Sequence, residues 1–164
     1  MPALLGYIDK AKEENFIIQA EYVERATQTL YVELYAKDIK AKNINFQPGG
    51  VGFWYSNVVN NIGLYDNNGK VQTLCTEDQK ATVSKFVDRY TQLIRETNLN
   101  GYGVAKTTRF GCPIEIEFDK KGNITKGKIV FCPLKANGEV ESFNDGHSVE
   151  VQYDPESRTW NVVK

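Results

Sequence analysis

The chain has 164 residues, 41% of them hydrophobic and 25% charged, with a formal net charge of −1 from 20 basic and 21 acidic residues. That is the composition of one globular domain, spanning 1–164, with enough chain for a sizeable core. Its charges are interspersed, which excludes the clustered positive surface of a nucleic-acid-binding protein, and no run approaches the roughly 18 apolar residues of a membrane span. Three widely spaced cysteines do not make a disulfide framework. The opening MPALLGYIDKAKEE lacks the basic start and long apolar stretch of a secretory leader. The expected setting is reducing and cytoplasmic.

Pro2 suits the first turn of a helix, and Leu4, Leu5, Ile8 and Ala11 recur at helical spacing. This predicts a short amphipathic helix ending near Glu14. Residues 16–38 contain neither glycine nor proline, and Phe16, Ala20, Val23, Thr27, Leu30 and Leu34 follow a 4-3-4-3-4 spacing, which predicts a second helix. A competing reading takes Phe16, Ile18, Ala20 and Tyr22 as one strand and TLYVELYA as another, but only the weak turn signal RATQ separates them. Residues 39–50 form a connector with a short extended piece at Ile44–Phe46.

GGVGFWYSN at 49–57 then leads to IGLY-DNNG-KVQTL, a hairpin pattern because Asn and Gly tolerate the positive φ of tight turns. Thr76-Glu-Asp-Gln79 reads as a capping box, and Val83, Phe86, Val87, Tyr90, Leu93 and Ile94 supply the apolar face of a helix over 77–97. Asn98, Asn100, Gly101 and Gly103 stop it. The remainder reads as a meander of five strands: 113–118, 124–134, 139–143, 147–153 and 158–163. Short turns at Asp119–Asn123, Asn137-Gly138, Asn144–Gly146 and Asp154–Ser157 separate them. The expected fold is α+β: an antiparallel sheet, hairpin plus C-terminal meander, covered on one face by two or three helices.

Chemistry-bearing residues are sparse. Cys112 and Cys132 become cross-strand neighbours if the hairpin turns near residue 121 or 122, close enough for a disulfide or two metal ligands. Without a CxxC or a second ligand pair they are weak metal candidates, and two separate half-buried thiols are the simpler reading. Cys75 precedes a helix start, where a thiol becomes more acidic. His147, the sole histidine, reaches Cys132 only if their strands lie close, with Asp145 orienting the imidazole. A solvated turn histidine is the simpler reading there. Glu115 and Glu117 share a strand face roughly 6–7 Å apart, an acid/base distance that solvent-facing alternation explains equally well. Lys120, Lys121, Lys126 and Lys128 mark a solvated hairpin. GGVG lacks the lysine and hydroxyl residue of a phosphate loop, and no cofactor motif occurs.

By elimination, the aromatic triplet leads. Alternation sends Trp54 to one sheet face and Phe53 with Tyr55 to the other, while Asn57, Asn61 and Tyr65 add polar contacts. Trp and Tyr favour protein hot spots. The expected function is therefore a binding or adaptor protein that takes a protein partner or a small uncharged ligand. A small cavity enzyme using tyrosine, a carboxylate or His147 is the second reading. A homo-oligomeric subunit assembled through the FWY strand is the third.

Overall fold

In a computed structural model, residues 2–36, 43–47, 52–56, 61–64, 85, 88–106, 112–141 and 146–163 are described. One helix, α1, runs from Pro2 to Ala36. Three strands follow: β1 (Asn43–Gln47), β2 (Gly52–Ser56) and β3 (Asn61–Leu64). A second helix, α2, occupies 88–95. Five more strands complete the chain: β4 (Tyr102–Val104), β5 (Ile114–Phe118), β6 (Ile124–Pro133), β7 (Val149–Asp154) and β8 (Thr159–Val162).

The two N-terminal helices expected from the sequence are one. Asn15 carries a propensity penalty of only about 0.7 kcal/mol, and neither glycine nor proline stands between Glu13 and Ala36, so nothing terminates the helix there. The stripe read from the sequence is the buried face: Ala20, Val23, Thr27, Leu30 and Leu34 are inaccessible to solvent. The strand reading fails on the same residues. It would put Ile18 and Tyr22 on one face with Ala20, yet both are exposed.

The sheet is antiparallel in order β3-β2-β1-β5-β6-β7-β8. β4 also pairs with β6, so β6 is the centre of the structure. Phe131 is in register with Val104 on one side and Val149 on the other, so β4 and β5 share one edge of β6 and β7 takes the opposite edge. Two expectations change here. β4 falls where only a helix stop was read. Of the strand expected at 139–143, residues 139–141 are described and form a single bridge, Leu134 with Val140, because β7 already occupies that edge of β6 at Lys128–Phe131. The capping box and the DNNG turn lie outside the described residues.

Both helices pack on the same sheet face. α1 lies against β7 and β8. Tyr90 and Ile94 of α2 join the core formed by Leu30 and Leu34 of α1, Ile44 and Phe46 of β1, Ile114 and Ile116 of β5, and Phe131 of β6. Tyr90 and Phe46 rings meet at 4.8 Å. Thr27 Oγ1 donates to Val23 O at 2.8 Å, so the 2.6 Å contact with Tyr90 OH has the tyrosine as donor. Burial holds that phenol protonated well above its ordinary range. Trp160 of β8 lies over Gly127 of β6; a Cβ at Gly127 would stand 2.5 Å from the ring.

Two expected turns form as read. Asp119 Oδ1 accepts from the amides of Lys121 and Asn123 at 2.8 and 2.9 Å, and Gly122 takes φ +84°. Asp154 Oδ1 accepts from Glu156 N at 2.9 Å, while its Oδ2 accepts from Ser157 Oγ at 3.0 Å. The fold is α+β, with the helices on one sheet face.

Candidate functional site

Directly paired residues of antiparallel strands share a sheet face. Register therefore carries face assignments across the whole sheet. Phe53 pairs with Phe46, and Tyr55 with Ile44. Both partners are buried under the helices, so Phe53 and Tyr55 fall in the rows of the covered face. Trp54 pairs with Asn45, Asn45 with Glu115, Glu115 with Lys128, Lys128 with Gln152 and Gln152 with Asn161. Trp54 also pairs with Leu64, so a single row of the opposite face crosses seven strands. A neighbouring row runs Asn61, Ser56, Asn43, Glu117 and Lys126. Asn57 and Tyr65 lie outside the described residues.

These rows outline a groove of about 530 Å³ lined by Asn45, Glu115, Glu117, Lys126, Lys128 and Gln152. Its charges cancel in place. Lys128 Nζ lies 3.2 Å from Glu115 Oε2, and Lys126 is in register with Glu117. Glu115 Oε1 also accepts from Cys112 N at 3.3 Å. The glutamates thus belong to a polar face in which Lys128 pairs with Glu115 and Lys126 stands in register with Glu117, and that arrangement suits hydrogen bonding and partner contact. The sequence reading assigned Lys126 and Lys128 only to a solvated hairpin. Alternation of Glu115 and Glu117 against Lys126 and Lys128 around the Asp119–Asn123 turn was the signal that joins the four.

The thiols occupy different settings. Register places Gly103, not Cys112, opposite Cys132, because β4 takes that end of β6 from β5. The cross-strand pairing does not form: the two stand apart, as in the simpler of the two sequence readings, and neither is in a disulfide. Among the described residues, no group of three metal-ligating side chains occurs. Burial, then the Glu115 carboxylate, push the Cys112 thiol up to about 11, with Lys128 opposing. Cys132 is buried beside Val130 and Ala105, and its Sγ meets Ser148 Oγ at 3.2 Å. His147, next in sequence to Ser148, is exposed, with Nδ1 3.9 Å from Glu141 Oε2. Asp145 and Cys75 lie outside the described residues. No helix among the described residues is long and apolar enough to cross a membrane.

No protein-family model matches this chain, and neither a curated protein nor a solved structure matches it.

Proposed function

We propose that the protein is a non-enzymatic binding module that docks a protein partner on the outer face of its sheet, with Trp54 as the anchor. The observation behind this reading is that both described helices lie on one face, while the opposite face carries an ordered polar row that continues in register to Trp54. A polar groove with paired charges suits a macromolecular surface better than a small molecule, which favours largely apolar walls. A tryptophan beside hydrogen-bonding side chains is the composition of an interface hot spot. The matched lysines and glutamates fit a partner without strong net charge. The reading includes an intracellular setting, where Cys112 and Cys132, neither of them in a disulfide, stay reduced.

Partner capture by wild type, Trp54→Ala, Lys128→Glu and the remote control Lys10→Ala tests this, with circular dichroism verifying that each variant is folded. The expected result is one partner held by wild type and Lys10→Ala and lost from the other two. Equal recovery of that partner by all four proteins removes the outer face from consideration. Light scattering of wild type and Trp54→Ala separates self-assembly: a mass that falls from dimer to monomer in the variant makes the partner a second copy.

A further inference from the structure

A cavity of about 410 Å³ opens between α2, β4 and the 135–140 turn, and it shares no lining residue with the outer-face groove. Its wall combines two chemistries. Ile94, Val104 and Val140 are apolar, the first two almost wholly buried. Arg95, Lys106 and Asn98 are polar. Lys106 Nζ makes a loose contact with Glu139 Oε2 at 3.8 Å, and both side chains are well exposed. No acidic side chain among the described residues pairs with Arg95. Among the described residues, the site therefore carries one guanidinium without a counter-ion, plus a lysine–glutamate pair that solvent weakens.

The end of α2 would ordinarily oppose an anion here, because its last carbonyls carry partial negative charge. Three of the last four carbonyls accept hydrogen bonds, which blunts that charge. Ile94 O accepts from Thr97 N at 3.0 Å and from Thr97 Oγ1 at 2.6 Å, Arg95 O accepts from Asn98 N at 3.3 Å, and Gln92 O accepts from Glu96 N at 3.2 Å. The wall is also close-set around a glycine. A Cβ at Gly103 would stand 2.6 Å from Asn98 Oδ1 and 3.0 Å from Val140 Cγ2, so the missing side chain is what lets these two lining residues close together.

The geometry points to a binding site for a small amphiphilic carboxylate, its headgroup on Arg95 with Lys106 beside it and its apolar tail against Ile94, Val104 and Val140. A guanidinium fork matches a carboxylate in a two-bond geometry. The volume falls in the range of small-molecule sites, about 300–1,000 Å³.

Ligand-observed NMR titration of the full chain with hexanoate tests the site. Hexylamine is the charge-reversed control, and inorganic phosphate is the anion without a tail. Saturable hexanoate binding is expected, weakened about tenfold in Arg95→Gln and less in Lys106→Gln, with phosphate weaker than hexanoate and hexylamine unbound. Backbone amide spectra of both variants establish that the fold is retained. The proposal is overturned by hexylamine binding as well as hexanoate, by phosphate matching hexanoate, by an unchanged affinity in Arg95→Gln, or by no saturation up to about 10 mM.

Discussion

Cys112 and Glu24 illustrate how a side chain's surroundings set what it does. The Cys112 thiol, held at about 11 by burial and by Glu115, is almost wholly protonated at neutral pH. Only the thiolate attacks electrophiles. Against an unperturbed cysteine near pKa 8.5, alkylation of Cys112 by iodoacetamide at pH 8 is expected to be on the order of 100-fold slower. Peptide-resolved mass spectrometry follows each cysteine separately. Labelling of Cys112 at the rate of free cysteine would contradict the electrostatic setting described for it. Glu24, half-buried on α1, has its carboxyl raised by burial first and by Glu21 next, with Trp160 and Arg25 opposing. The indole N–H of Trp160 is buried and completes no hydrogen bond, so it favours the Glu24 carboxylate without offsetting burial. The sign follows from linkage. With the folded pKa above the unfolded one, stability is greatest below the unfolded value and is lost as pH rises through the folded value. Glu24→Gln is therefore expected to melt higher than wild type at pH 7, with the difference closing near pH 4. A variant that melts lower at pH 7 would mean that the carboxylate contributes a favourable contact.

At the scale of elements, the contact between β6 and β8 depends on one absent side chain. Gly127→Ala would bring a Cβ to 2.5 Å from Trp160 Cη2 and 3.1 Å from Tyr153 Cβ, so the buried indole has to shift. The expected cost is about 1–3 kcal/mol by urea denaturation. The cost should shrink when Trp160→Phe removes the clashing ring edge, since contacting residues are not additive. Equal costs in both backgrounds would show that the glycine matters for its backbone alone. This contact also marks where reading a sequence stops. The buried stripe of α1 was legible because a helix repeats its pattern over many residues, and the turns at Asp119 and Asp154 because their chemistry is local. β4 was not: it has three residues, one a glycine, too short for any alternation to register. The Glu115–Lys128 pair could be reached through the intervening turn. Joining it to Trp54 required the pairing of β1 with β5, between segments far apart in sequence, which no local pattern encodes.

For the whole molecule, the order of strands decides which backbone amides open together. A meander paired strictly in sequence would place 139–143 between β6 and β7. Strand pairing is a competition for edges. β7 makes four successive pairs with Lys128–Phe131, whereas residues 139–141 hold to the end of β6 by the Leu134–Val140 bridge and the bonds from Glu141 N to Pro133 O and from Lys135 N to Glu139 O. Central strands with buried rows exchange their amides only through extensive opening, while edge strands and short bridges fray. Hydrogen exchange at pH 7 is therefore expected to protect β5 and β6 most and β1 and β7 next. β8, paired on one side but covered by α1, should come after them. Within 139–141, Glu139, whose amide donates to Asn137 Oδ1, and Glu141 should be slowed, and only slightly. Protection across 139–143 equal to that of β7 would restore the sequential meander and break the β6–β7 register. The row that links Gln152 to Glu115 and Trp54 would then be lost, and with it the face on which the proposed partner docks.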